Sequence, residues 1–145
     1  MGKWITMKVH DCFKEGLLKR TTPSKQYAMK SLETSLVYIQ NAKENLALNN
    51  KNLVIFCSYT AMFHAARALL FRDGIKERSH LCIVSYLRET YPRLKRLANQ
   101  LDTYRRNRHN TIYALDFLIS DDEAQQAIGD AEQFYKQIKD ILDEK

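Results

Sequence analysis

The chain has 145 residues, of which 45% are hydrophobic and 28% charged, with four glycines and two prolines. This length predicts one domain with its own core, and the composition excludes intrinsic disorder and low-complexity or collagen-like classes. The formal net charge is +6, but it is unevenly spread: residues 1–109 carry 20 basic and 8 acidic side chains, and residues 110–145 carry 3 and 9. The pattern fits a basic surface for an anionic partner, or a solvated basic face without a ligand.

Patterns of helical period run along most of the chain. The predicted helices cover residues 9–18, 24–49, 51–73, 79–90, 92–117 and 120–144. In the second of these, Leu32, Leu36, Ile39 and Leu46 recur at spacings of three, four and seven, which predicts one apolar face. No segment shows the sustained alternation of a half-buried strand. The sequence therefore predicts an all-α bundle of about five helices. It forms a single domain over residues 1–145, with a short N-terminal helix before a core in residues 24–144.

The helix boundaries are predicted from capping residues. Ser24 and Ser79 are expected to be N-caps, and Gly74 is placed to end the long apolar helix. Ser120 and Glu123 form the pattern of a capping box at the start of the last helix. That helix carries a narrow core-facing seam of five residues, Ala127, Ala131, Phe134, Ile138 and Ile141.

Cysteine usage and hydropathy indicate the compartment. Cys12, Cys57 and Cys82 show no CxxC spacing, which predicts a reducing cytoplasm, no disulfide framework and no structural zinc site. No signal peptide is expected, because the N-terminal segment has no continuous apolar stretch. Residues 53–71 approach membrane-spanning length, but they include Arg67, and an arginine near the centre of a membrane helix costs about 2.5–3.5 kcal/mol. We expect a buried helix of a soluble bundle instead.

Motifs for metal, phosphate-loop or triad chemistry are missing from the sequence. The four histidines are not paired as HExxH or HxxxH, and the scattered glycines form no phosphate-binding loop. We therefore expect no metal and no cofactor. Within the long apolar helix, His64 and Arg67 are polar, and a structural ion pair for Arg67 is favoured over a ligand contact. His80, beside the cap Ser79, is expected to serve packing or capping.

The densest polar cluster is the segment 104–113, which reads YRRNRHNTIY. At 100° per residue, one helical face carries Asp102, Arg105 or Arg106, His109 and Tyr113. A face with guanidinium, imidazole and phenol groups can bind phosphate, stack a base and move a proton. The alternative is an exposed basic helix whose arginines pair with the acidic last helix.

Several segments together resemble one family, the HEPN domain proteins (higher eukaryotes and prokaryotes nucleotide-binding), in their small stand-alone prokaryotic branch. The resemblance rests on residues 58–70 with Gly74 and Ser79-His80, on residues 15–19 with Pro23, on residues 28–46, and on the segment 108–113. It covers about residues 9–142. The segment 108–113 stands where that family has its arginine-led motif.

This resemblance implies an up-and-down bundle that forms a homodimer and joins two motif copies in a basic cleft. Active members of the family are metal-independent endoribonucleases, often toxins encoded beside a minimal nucleotidyltransferase antitoxin. By resemblance Arg108 is the motif arginine and His109 the polar residue after it. Tyr113 stands where the family has a histidine, and no histidine follows His109. The neighbouring Arg96, Arg105, Arg106 and Asn107 are then candidates for binding RNA or a nucleotide.

Three functions remain open at the level of the sequence. The first is a toxin-type ribonuclease in which Arg108 clamps phosphate while His109 and Tyr113 handle protons or the base. The second is a non-catalytic nucleotide-binding or partner-binding subunit of a nucleotidyltransferase, which the missing histidine favours, since a phenol with a pKa of about 10 is a poor base. The third is a structural helical adaptor, whose partner binding would not weaken with salt as an electrostatic RNA site must.

Overall fold

The computed structural model describes the backbone of residues 7–113 and 118–144, and the side chains of residues 7–107 and 118–144. Six α-helices and two three-residue strands make up the regular structure of this part of the chain. In chain order they are α1 (Val9–Lys14), β1 (Leu18–Arg20), α2 (Lys25–Ala47), α3 (Lys51–Asp73), β2 (Ile75–Glu77), α4 (His80–Thr90), α5 (Lys95–Tyr113) and α6 (Asp121–Asp143). A short 3-10 helix, Pro92–Leu94, leads into α5. The predicted all-α class is confirmed.

Helix α3 is the central helix of the bundle, with eleven buried residues. Helix α2 runs antiparallel to it, and two buried serines join them: Ser35 Oγ donates to the carbonyl of Ala61 at 2.7 Å, and Ser31 Oγ to the carbonyl of His64 at 2.6 Å. Among the described residues only α3 is long and apolar enough to cross a membrane, and 61% of its most apolar window is buried inside the bundle. This burial is that of a core helix.

The predicted caps are confirmed. Ser24 Oγ accepts from the backbone N–H of Tyr27, and Ser79 Oγ accepts from that of Cys82. Both hydrogen bonds of the Ser120–Glu123 capping box are formed. Gly74 ends α3 in the left-handed conformation, with φ of +75°, and all five residues of the predicted α6 seam are buried.

The first helix is shorter than predicted, and the chain forms two short strands that the sequence did not indicate. Helix α1 ends at Lys14, and β1 then pairs antiparallel with β2, with Leu18 opposite Glu77 and Lys19 opposite Lys76. Strands of three residues are too short for apolar alternation to reveal them. Their pairing is decided by the way the chain returns past α3.

The predicted apolar stripe of α2 is only partly confirmed. Leu32 and Ile39 are buried, whereas Leu36 is 45% exposed. The buried face of α2 instead includes Ser31 and Ser35. These small side chains bond to α3 carbonyls, which requires the two helix backbones to approach closely.

Cys12 and Cys82 form a disulfide between α1 and the first turn of α4, so the expectation of no disulfide is wrong. The two residues are 70 positions apart in sequence, their Cα atoms lie 5.9 Å apart, and both are fully buried. The pair was invisible in the sequence because it depends on α1 packing against α4. Cys57 is buried and free, and its burial raises the pKa of its thiol.

Candidate functional site

Helix α5 carries the arginine-rich cluster on one continuous helix, as predicted, because its backbone runs unbroken from Lys95 to Tyr113. Arg108, His109 and Tyr113, the residues predicted to carry catalysis, lie outside the described side chains. Their positions along the helix follow from the backbone, and their roles stay predictions. The geometry of the site is therefore built from the turns that precede Arg108.

Asp102 organises two of the predicted binding residues. Its carboxylate, on a residue only 6% exposed, lies 2.9 Å from Nε of Arg105 and 3.2 Å from Nε of Arg106. One carboxylate between two guanidiniums fixes both and leaves one positive charge in excess. For Arg105 and Arg106, the alternative in which the arginines pair with the last helix is wrong, because their partner lies in α5 itself. Arg108 lies outside the described side chains.

Tyr104 serves as a structural link rather than as a ligand-binding phenol. Its hydroxyl donates to Asp130 Oδ2 in α6 at 2.7 Å, and Gln126 donates to the other oxygen of Asp130 at 2.8 Å. Burial, together with the bond to Asp130, raises the pKa of Tyr104. The phenol therefore stays protonated and holds α5 against α6.

A cavity of about 560 Å³ lies on the other side of α5, toward α6. Asn107 and Gln100 line it from α5, and three carboxylates line it from α6, those of Asp122, Glu123 and Asp130. Acidic walls repel phosphate, so this cavity is a poor anion site. The structure thus separates Asn107 from Arg105 and Arg106, and its role in binding stays a prediction.

Arg96 is also separated from the cluster. It is exposed in the first turn of α5, ten residues before Arg106, which corresponds to about 15 Å along the helix axis. Arg96 and Arg106 therefore do not belong to one cluster, and the role of Arg96 in binding stays a prediction.

The two polar residues of α3 have structural partners. Arg67 Nε lies 2.8 Å from Oε1 of Glu77 in β2, which confirms the predicted ion pair and supplies the partner that the sequence did not reveal. His64 stacks on Tyr38, with ring centroids 5.5 Å apart. Burial, and secondarily the charge of Arg67, lowers the pKa of His64.

His80 confirms its predicted packing role. Its ring lies 3.8 Å from that of Phe63, and its Nδ1 is 2.5 Å from the hydroxyl of Tyr59. Over residues 7–107 and 118–144, whose side chains are described, no group of three or more His, Cys, Asp or Glu is placed to hold a metal ion.

The chain matches the HEPN domain over residues 28–141, from the first turn of α2 to the last turn of α6. This range includes the arginine-led segment 108–113. No curated protein matches the chain with significance. Because the matched range covers most of the chain, the protein belongs to the HEPN domain family, whose functions are in general related to nucleotides or RNA.

Proposed function

We propose that this protein cuts RNA as a metal-independent endoribonuclease, the toxin of a toxin–antitoxin pair. The observation that carries the proposal is that the HEPN match extends through the segment 108–113 at the end of a helix already bearing two arginines fixed by one carboxylate. That arrangement presents preorganised cations one turn before Arg108. Preorganised charge is what a phosphoryl-transfer site needs.

Metal-free cleavage of RNA requires a base for the 2′-hydroxyl, an acid for the leaving oxygen and a cation for the pentacoordinate phosphorus. In this proposal Arg108 supplies the cation, while His109 and Tyr113 move protons or hold the base. An unperturbed imidazole, with a pKa near 6.5, is the better base of these two groups. Arg105 and Arg106 neutralise the neighbouring phosphates.

The active form that we propose is a cytoplasmic homodimer, in which two copies of the motif face one basic cleft. One chain provides a single copy of the segment 108–113. Light scattering at micromolar concentration is expected to give the mass of two chains. A monomer that still cuts RNA would contradict the shared cleft while leaving the ribonuclease itself standing.

The test of the ribonuclease is cleavage of a single-stranded RNA by the purified protein in EDTA. We expect cleavage by the wild type, and a loss of about 100-fold or more in Arg108→Ala, since removing one donor to a developing charge costs about that much. Arg93→Ala is the matched control, because Arg93 is exposed and paired with Glu144 away from the motif. No cleavage, or equal cleavage by Arg108→Ala and wild type, would refute the proposal.

The second candidate is a non-catalytic nucleotide-binding or partner-binding subunit of a minimal nucleotidyltransferase. It is favoured by Tyr113, which stands in the place of the motif histidine, and by the absence of any histidine after His109 in the sequence. In this function the Tyr113 phenol attacks the α-phosphate of a nucleoside triphosphate, takes the nucleotidyl group and releases pyrophosphate. Mass spectrometry after incubation with the partner enzyme would show the added nucleotide, which Tyr113→Phe would lose.

A further inference from the structure

Four rings and a guanidinium form a continuous row on one side of the bundle, which we call the aromatic row: Tyr27, Phe71, Arg67, Phe63 and His80. The Tyr27 and Phe71 rings meet edge-on with centroids 5.6 Å apart. The Arg67 guanidinium lies 5.3 Å from the Phe71 centroid and 5.6 Å from that of Phe63. The Phe63 ring in turn contacts His80. None of these side chains is fully buried, and Tyr27 is 56% exposed.

Two lysines stand beside this row on the strand pair. Lys19 of β1 lies directly opposite Lys76 of β2, and both are exposed, whereas Leu18 and Ile75 are buried under the ribbon. Like charges directly opposite each other destabilise a strand pair. No described carboxylate lies within ion-pair distance of either lysine. The ribbon therefore holds two positive charges opposite each other without a close ion pair, at a cost that a bound anion would lower.

The row and the ribbon meet in one depression of about 280 Å³. Its lining includes the Tyr27 and Phe71 rings, Lys76, and the hydroxyl-bearing Thr21 and Thr22. Its single carboxylate belongs to Glu77, which is already paired with Arg67. The depression therefore combines stacking surfaces, polar groups and net positive charge.

We propose that the aromatic row and the Lys19–Lys76 pair bind single-stranded RNA, with a base against the exposed Tyr27 ring at the end of the row and a phosphate on the two lysines. This rests on the proposed function, because it names the form of RNA that the site receives. Aromatic faces interleaved with cations bind unpaired bases, whose faces are free, and a duplex offers none of these faces. A purely apolar protein partner would leave the paired lysines without a counter-charge.

The test is the affinity of a fluorescein-labelled 12-nucleotide oligo(U) by fluorescence anisotropy, on an Arg108→Ala background that prevents cleavage. We expect Lys19→Ala/Lys76→Ala to bind about tenfold more weakly. The slope of log K against log salt should become shallower by about 0.7, because the one phosphate held by the two lysines contributes about that much on a single strand. Lys136→Ala/Lys139→Ala is the control, since it removes the same charge from the exposed face of α6.

The stacking part is tested by two changes at the exposed Tyr27. We expect Tyr27→Ser to weaken binding about fivefold or more, and Tyr27→Phe to bind as the parent does, because a stacked base is worth about 1–3 kcal/mol and needs only the ring. Equal affinity of the two double-lysine variants would overturn the proposal, as would equal affinity for a 12-base-pair duplex. The proposal would also be overturned if Tyr27→Ser changed the mass of the oligomer without changing its affinity for RNA. The aromatic row would then be an interface between copies of the chain.

Failure of this site and failure of the ribonuclease are distinguishable. One outcome is that the lysine and tyrosine variants weaken RNA binding while the protein with Arg108 intact cuts no RNA. That outcome would support the RNA-binding site and refute the ribonuclease. If the protein cuts RNA and the variants bind and cut like the parent, the nuclease stands and this site is refuted.

Discussion

At the scale of single residues, burial and pairing set which groups carry charge. Glu77 is mostly buried beside Arg67, and desolvation raises the pKa of its carboxyl although Arg67 opposes this. His64, in the same part of α3, has its pKa lowered by burial and then by Arg67. Both groups contact members of the aromatic row, Glu77 through its ion pair with Arg67 and His64 through its ring contact with Phe63.

The lowered pKa of His64 predicts a pH-dependent contribution to stability. The unfolded chain takes up a proton at this histidine near its ordinary pKa of 6.5, at a pH where the folded chain does not. Because the unfolded state then binds more protons, the free energy of unfolding falls as pH drops below about 6.5. We expect His64→Gln to remove this part of the acid sensitivity.

The measurement is urea unfolding of wild type and His64→Gln at pH 8, 7, 6 and 5. The variant loses the stacking contact with Tyr38 at every pH, so it should be less stable at pH 8. The difference in free energy of unfolding between the wild type and the variant should shrink toward pH 5, because the buried histidine destabilises the wild type there. A deficit that is constant across this range would contradict a lowered pKa at His64.

At the scale of elements, the end of α3 is the junction of the bundle. Asp73 Oδ2 accepts hydrogen bonds from Tyr86 at 2.8 Å and from Tyr91 at 2.5 Å, which ties α3 to α4. Arg72 donates to the Tyr91 hydroxyl and to the carbonyl of Ile141 in α6. Burial and the bond to Asp73 raise the pKa of Tyr91 to about 12, so the phenol remains a donor.

Gly74, immediately after this junction, predicts opposite effects for two glycine changes. Its φ is +75°, and an added Cβ would lie 2.7 Å from the carbonyl oxygen of Thr21. We expect Gly74→Ala to cost about 2 kcal/mol or more of the free energy of unfolding, from the left-handed backbone and the clash with main chain. Gly129→Ala is the matched control within α6, where nothing lies within 4 Å of an added Cβ.

Gly129→Ala should stabilise the protein by about 0.5–1 kcal/mol, because alanine restricts the unfolded chain and favours helix. Thermal and urea unfolding of both variants would check that Gly74→Ala lowers the free energy of unfolding and Gly129→Ala raises it. Loss of stability at Gly129 equal to that at Gly74 would show that general helix disruption, and not the conformation at the end of α3, governs the effect.

At the scale of the whole molecule, the Cys12–Cys82 disulfide attaches the N-terminal helix to the bundle. Helix α1 has six residues, and its only buried residue is Cys12 itself. Outside the disulfide, Val9 donates its backbone N–H to Glu89 of α4 at 2.9 Å. Val9 and Phe13 also pack against the edge of the core, but so short a helix has little apolar surface, and the covalent link adds to its attachment.

The disulfide therefore predicts a large redox effect on stability. A closed loop of 70 residues corresponds to a loss of about 4 kcal/mol when the bond is broken, on the chain-entropy estimate. We expect dithiothreitol to lower the free energy of unfolding of the wild type by about 2–4 kcal/mol. Cys12→Ala/Cys82→Ala should resemble the reduced wild type and show no response to dithiothreitol.

Cys57→Ala is the control for this measurement, because Cys57 is a buried free thiol and the disulfide stays intact. Its response to dithiothreitol should equal that of the wild type. A wild-type unfolding curve that dithiothreitol leaves unchanged would contradict a stabilising disulfide. In a reducing cytoplasm, the location we propose, the less stable reduced form is the one expected.

The sequence by itself determined the features that local interactions control. Caps depend on side chains three residues from their targets, so Ser24, Ser79 and Ser120 were readable, as was the end of α3 at Gly74. The α6 seam was readable because its period matches the helix. The family resemblance likewise rests on runs of neighbouring residues, and the match over residues 28–141 confirms it.

Tertiary structure alone decided what depends on residues distant in the chain. The Cys12–Cys82 bond, the pairing of Lys19 with Lys76 and the ion pair of Arg67 with Glu77 all join different elements. Residue spacing carries no information about which elements meet, because those contacts are set by the packing of the other helices on α3. The same division holds for the candidate site. The sequence located the arginine cluster on one helix. The fold showed that Asp102 holds Arg105 and Arg106, and that Asn107 faces an acidic cavity.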